Sequence, residues 1–207
     1  MTFTDLSALK ADLENNFHSL PLVSQVIDIV HGEGDERARV MLIGEAPGYH
    51  ETVLRRPFVG RSGQLLRATM SAVGLEPAAT YISNIVKARP PDNRDPSTEE
   101  IAVFKPYLDE EIRLINPQLI ITLGRFSMAK FLPEVKISQV HGRLHKVQWQ
   151  GQQLFILPMY HPAAALRSTA MKTSFTQDFK KIDKILTWIK EQKQSSNMIE
   201  EVKEILF

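Results

Sequence analysis

Four short segments of this chain concentrate residues able to do chemistry. They are Gly44-Glu-Ala-Pro-Gly48, Arg56-Pro-Phe-Val-Gly-Arg-Ser-Gly-Gln-Leu-Leu66, Ser83-Asn-Ile-Val-Lys-Ala-Arg-Pro-Pro91 and Tyr160-His-Pro-Ala-Ala-Ala-Leu-Arg167. Between them they supply a carboxylate (Glu45), a carboxamide (Asn84) and an imidazole (His161). Such groups hydrogen-bond a polar substrate or move its protons. Residues 37–95 also hold nine Lys/Arg against five acids, with Arg55, Arg56, Arg61, Arg67, Lys87, Arg89 and Arg94 grouped around the segments. A local basic patch of this kind binds a phosphate backbone without a basic balance overall, and it equally fits a solvated surface. Each segment alone has a plain reading as well. Gly-x-x-Pro-Gly fits a tight turn, and His-Pro fits a helix start.

The elements that must position these groups alternate between two kinds. Arg39-Val-Met-Leu-Ile43 is a short apolar run ending at Gly44, the pattern of a buried parallel strand entering a loop. Thr80 to Val86 and Leu119 to Leu123 read as further strands, the latter ending at Gly124 before a helix. Gly142 to Tyr160 reads as two strands joined at Gln150-Gly151, the second delivering Tyr160, His161 and Pro162 into a loop. Helices are predicted over 4–17, 63–73, from Ser97 to about Asn116, and over 173–194. Arg89 to Pro96 must be loop, because its prolines and Asn/Asp continue neither element. This alternation means an α/β fold, a three-layer α/β/α arrangement around a central, mainly parallel four-stranded sheet. In such sheets the ligand crevice lies off the carboxyl ends of the strands, where Glu45, Asn84 and His161 all fall.

Composition narrows the function classes. With 207 residues, 43% hydrophobic and 24% charged, the chain has the balance of a folded globular protein. Residues 1–207 are expected to form one domain: a helix at 4–17, a core over about 32–188 and a short helix at about 198–207. Asn197 and Glu200 suit the N-cap and N3 positions of that last helix. The first 36 residues carry seven acids against one lysine, offsetting the basic stretch to a net charge of +1. No run approaches the roughly eighteen apolar residues a membrane helix needs, and no signal-peptide pattern opens the chain, so a cytoplasmic protein without membrane association is expected. There are no cysteines, which excludes disulfides, thiol nucleophiles and cysteine-held zinc or iron–sulfur centres.

Taken together, the order and spacing of the four segments resemble the uracil-DNA glycosylase superfamily, and specifically its family 4, over roughly residues 32–188. The resemblance implies hydrolysis of the bond between uracil and deoxyribose after the base is turned out of DNA. Negative charge then moves onto the uracil as the sugar becomes oxocarbenium-like. It assigns catalysis to His161, Glu51 and Glu45, with His161 against uracil O2 as the developing oxyanion. Uracil binding falls to Ala46, Gly48, Phe58 and Asn84: Phe58 offers a flat stacking face, and the Asn84 amide pairs with O4 and N3–H. For Glu51 two roles stay open, holding the attacking water or crowding out the methyl group of thymine, beside a plain solvated carboxylate. DNA contacts fall to Gly60, Arg61, Ser62, Leu166 and Arg167, with Leu166 as the apolar wedge filling the gap left by the flipped base. The partner implied is uracil-containing DNA, met by a monomer.

The chain departs from the family in one respect above all. Family 4 members typically carry four cysteines holding a 4Fe–4S cluster; the matching positions here are Phe17, Leu20, Ala88 and Phe104. No cofactor and no metal are therefore expected, an apolar plug taking the cluster's place, with resistance to chelators and oxidants. The family's Asp after the Glu51 position is Thr52 here, and its Gly before Arg-Pro-Phe is Arg55. These changes leave two alternatives beside uracil excision: a glycosylase for another deaminated base such as hypoxanthine or xanthine, and a module that binds DNA or bases without cutting.

Overall fold

The computed structural model describes residues 2–192 and residue 194. Its sheet contains β1 (Glu33–Gly34), β2 (Val40–Gly44), β3 (Tyr81–Asn84), β4 (Leu119–Leu123), β5 (His145–Trp149) and β6 (Gln152–Met159), in the spatial order β1-β3-β2-β4-β6-β5. The inner four strands, β3, β2, β4 and β6, are mutually parallel, whereas β1 and β5 pair antiparallel at the edges. Among the described residues the sheet thus has six strands rather than the expected four. β1 is two residues long and too short to show a period. β5 joins β6 through Gln150 and Gly151, both at positive φ (47° and 81°), as a tight two-residue hairpin needs.

Side chains alternate across the inner strands, and this sorts the core into two apolar layers. Met41 and Ile43 of β2, Ile120 of β4 and Ile156 of β6 pack with Leu9 and Leu13 of α1 (Leu6–Asn15). Phe104, Leu108 and Ile112 of α4 (Thr98–Ile115) join the same layer. Val40, Leu42, Ile121 and Leu157 face the other way, against Leu66 and Met70 of α3 (Arg61–Ala72) and Phe175 and Phe179 of α8 (Thr169–Phe179). Each fully buried aliphatic side chain contributes on the order of 2 kcal/mol. The three-layer α/β/α expectation is met.

Helix ends follow local chemistry. Asp5 caps α1 by accepting from Ala8 N at 2.8 Å, and the chain tightens into a 3₁₀ turn at Phe17–Ser19, so the helix is shorter than predicted. Ser97 and Glu100 form a reciprocal capping box on α4, and Asn116 ends it in the left-handed region. The helix predicted over 173–194 is two: α8 stops at Phe179, and a further helix runs over 182–192. At the break the Lys181 ammonium turns back to Asp178 and to the Gly142 carbonyl. The helix expected at 198–207 lies outside the described residues. Among those described, no helix is long and apolar enough to cross a membrane.

The short helices matter most for position. α2 (Tyr49–Leu54) follows β2, α5 (Arg125–Ala129) follows β4, and α7 (Pro162–Arg167) follows β6; α6 (Ile137–Val140) lies in the connection before β5. The first three rise from the carboxyl ends of parallel strands, where loops converge over one cleft.

Candidate active site

That cleft has a volume of about 1080 Å³, and its lining includes Glu45, Phe58, Asn84 and His161. Two backbone hydrogen bonds lash the first and third segments together at its floor: Ile85 N to Gly44 O at 3.0 Å and Val86 N to Glu45 O at 3.1 Å. Asn84 ends β3 with 3% of its surface exposed, and its Oδ1 is buried without a hydrogen-bond partner. An orphaned buried acceptor in a cleft is ready for a ligand donor. A Cβ on Gly44 would come within 2.4 Å of both Asn84 Oδ1 and Phe58 Cζ, so the glycine makes the room in which amide and ring meet.

Phe58 is buried at 5% exposure, with its ring centroid 5.8 Å from that of His161. Its backbone sits at φ 54°, a region costing a non-glycine residue about 1 kcal/mol or more. The turn is held by two residues that the sequence reading gave no role there. Arg67 donates to Phe58 O at 3.0 Å and Pro57 O at 2.9 Å, and Glu33 ties Arg67 and Arg56 together. Gly63 lets α3 approach: a Cβ there would lie 2.0 Å from the Phe58 carbonyl carbon.

His161 caps α7, its Nδ1 accepting from Ala163 N at 3.2 Å. With Nδ1 used as acceptor, the neutral ring carries its proton on Nε2. Burial, seconded by the positive charge of Arg167 and opposed by Glu51, pushes the imidazole down to about 4. The group is a neutral donor at physiological pH, suited to receive charge developing on a carbonyl oxygen.

The two carboxylates differ. Glu45 is half-buried beyond β2, and burial followed by the negative charge of Asp95 raises it above the ordinary carboxylate range, against Arg125. A raised carboxylate is a better proton acceptor. Glu51 lies in the first turn of α2 and accepts from Val59 N at 2.9 Å and Gly60 N at 2.7 Å through one oxygen. It braces the 58–60 turn, and it takes the Gly60 N–H, which is thereby withdrawn from the phosphate expected there. The donors left at the start of α3 are the N–H groups of Arg61, Ser62 and Gly63, which helix geometry leaves without intrahelical partners.

The remaining candidates border the same cleft. Ala46 and Gly48 line the loop after β2, Arg61 and Ser62 the start of α3, and Leu166 and Arg167 the exposed end of α7. Sequence reasoning named no role for Asn93, Asp95 and Arg125, which also line it. Arg125 pairs with Asp95 across the loops after β4 and β3. Its place directly after Gly124 at a strand end was the available signal.

The four positions that the resemblance sets against cluster ligands fall in or against one apolar layer. Leu20, Ala88 and Phe104 are buried within it and Phe17 packs against it, beside Ile29, Val86 and Leu108. None offers an atom that binds iron, so these residues do not fit a cluster. Arg55 ends α2 in the left-handed conformation at φ 51°. Its guanidinium bonds Glu14 at 2.5 Å and Ile29 O at 3.2 Å, and Glu14 also meets His31 at 2.9 Å.

Residues 31–187 match the family model described as the uracil DNA glycosylase superfamily. Among curated proteins, the chain is 41% identical over 159 residues to a type-4 uracil-DNA glycosylase of Sulfurisphaera tokodaii, covering 74% of this chain and 72% of the relative. It is 39% identical over 164 residues to a type-4 enzyme of Saccharolobus solfataricus, covering 76% of each. With the type-4 enzyme of Archaeoglobus fulgidus it shares 38% over 162 residues, 75% of this chain and 81% of the relative. A strand-end cleft built from the four segments, matched across most of the chain by such relatives, makes this protein a member of the uracil-DNA glycosylase superfamily, of the family 4 type.

Proposed function

We propose that the protein is a monofunctional DNA repair glycosylase that hydrolyses the N-glycosidic bond of uracil turned out of DNA, leaving an abasic site. The reading has it act as a cytoplasmic monomer without a cofactor. Membership of the superfamily and the relatives named type-4 uracil-DNA glycosylase support the reaction. The observation that carries the site is the buried, unpartnered Asn84 Oδ1 beside the Phe58 ring and the neutral His161.

Uracil stacks on Phe58; Asn84 accepts from N3–H and donates to O4, a pattern that cytosine mismatches. The bond from C1′ to N1 breaks with its electron pair going to the base. The charge appearing at O2 meets the His161 Nε2–H, a donor whose removal typically costs about 10²–10³ in rate. Water adds its oxygen to C1′ and yields a proton to Glu45. Glu51 holds the 58–60 turn that carries the stacking ring, and Arg61, Ser62 and Arg167 take the flanking phosphates with Leu166 in the vacated stack. No step needs iron: the absence of any cysteine and the apolar packing of Phe17, Leu20, Ala88 and Phe104 support this.

The test is a labelled single-stranded oligonucleotide with one uracil, incubated in EDTA and then treated with alkali. Strand breakage at the uracil, lost in His161→Ala, is expected. An uncut strand with folded protein overturns the reading, and a panel carrying hypoxanthine or xanthine then shows whether another base is the substrate.

A further inference from the structure

The lip of the cleft carries side chains that uracil excision leaves unused. Tyr49 opens α2 with 60% of its surface exposed, and Val53, one helical turn later, is 62% exposed. Residues four apart share a helix face. Here that face is apolar and turned to solvent, the reverse of an ordinary surface helix. Large exposed apolar side chains gather at this cleft: Tyr49, Leu166 and Met171 all line it.

Nor does the Tyr49 ring stand alone. The Arg89 guanidinium carbon lies 5.6 Å from its centroid, and His50 meets it edge-on at 5.5 Å. Arg89 is itself fixed, its Nε donating to Asn93 Oδ1 at 2.8 Å. Asp92 and Asn93 stand in consecutive left-handed conformations, φ 53° and 52°, which turn Asn93 toward that contact. Among the described residues no carboxylate pairs with Arg89, whereas its neighbours Arg94 and Arg125 are paired with Glu100 and Asp95. An exposed ring with an unneutralised cation over it offers a nucleotide both things it needs. The base stacks on the ring, and the phosphate meets the guanidinium.

We propose that Tyr49 and Arg89 form a stacking subsite for the nucleotide next to the flipped uracil, and that this subsite serves uracil in unpaired DNA. The restriction follows from stacking itself. In a duplex the neighbouring base is already paired and stacked, and turning it onto Tyr49 gives up both contacts. In a single strand it is free to turn. The proposal deepens the uracil-excision reading and rests on it.

The experiment compares wild type, Tyr49→Ala and Tyr49→Trp on uracil in single strands, in duplexes, and in single strands whose neighbours on both sides of the uracil are abasic. Tyr49 is largely exposed, so truncation leaves the fold intact, which a thermal melt checks. On single strands Tyr49→Ala is expected to lose about tenfold in kcat/KM, chiefly through KM, with Tyr49→Trp recovering it. The loss on duplexes is at least fivefold smaller, and with abasic neighbours the wild type falls to the level of the variant. Equal losses on single and double strands, or a loss that persists with abasic neighbours, overturns the subsite. Wild-type cleavage of the unmodified strand is the control: its absence refutes uracil excision itself.

Discussion

His161 does its proposed work as a neutral imidazole, and two independent features make it so. The cap to Ala163 N occupies Nδ1, placing the proton on Nε2, and burial beside Arg167 lowers its affinity for a second proton. The consequence for stability has a definite sign. With a folded value of about 4 against the ordinary 6.5, the unfolded chain takes up a proton first as pH falls through that interval. The histidine therefore costs stability progressively between pH 6.5 and 4 and costs nothing above it. NMR is expected to show His161 as the Nε2–H tautomer with a midpoint near pH 4, and His161→Ala to flatten the fall in Tm across that window. A titration near 6.5 would remove the basis for the neutral donor. This residue was legible in the sequence, as were Asn84 and Glu45, because each is a polar group just past or at the end of an apolar run. Arg67 and Glu33 were not. Their task is to hold the carbonyls of a turn whose left-handed residue is Phe58, and no local pattern announces a positive φ at a phenylalanine.

Among elements, the question is what keeps β3 aimed at the cleft. Lys87 is 1% exposed, with its ammonium 2.6 Å from Glu111 Oε2 on α4, 2.5 Å from Ser83 Oγ and 3.2 Å from the Asn84 carbonyl. This buried pair thus ties the backbone of Asn84 to α4. Desolvation makes such pairs weak sources of net stability, yet removing one partner strands the other charge. Lys87→Met is expected to lose about 3–5 kcal/mol in urea unfolding, and adding Glu111→Leu to recover most of it. Activity should follow a different course. The double variant regains its fold without regaining the donor to Asn84 O, so its KM for uracil-containing DNA stays raised. Full recovery of both would reduce the pair to a packing feature. Strands β2 to β6 and the long helix were readable from their apolar runs and the Ser97 cap, and two-residue β1 was not. By contrast α2, six residues long, and the break between α8 and the next helix depend on contacts beyond the local sequence, Glu51 to the 58–60 turn and Lys181 to the Gly142 carbonyl.

For the whole molecule, the apolar layer around Phe104 answers what joins the N-terminal arm, the segment after β3 and α4 when no cysteine is present. Phe17 and Leu20 come from the arm, Ala88 from beyond β3 and Phe104 from α4, all into one layer. Polar ties run alongside: Glu14 on α1 holds Arg55 at the end of α2, the helix that bears Glu51. Glu14 lies below the ordinary carboxylate range through its hydrogen bonds to His31 and Arg55, opposed by burial. This tie is therefore complete above the usual carboxylate value and weakens as pH falls below it. Dispersion and burial depend on filled volume, so they fail when volume is removed. Phe104 is fully buried, and Phe104→Ala is expected to lose about 3–5 kcal/mol, read as a drop in Tm. Chelator treatment of the wild type is expected to change neither Tm nor uracil excision, since packed side chains have no ligand to surrender. If Phe104→Ala left Tm unmoved, the bracing would have to come from the polar ties alone. Glu14→Gln, which keeps the shape of the Arg55 contact but removes its charge, would then cause the larger loss.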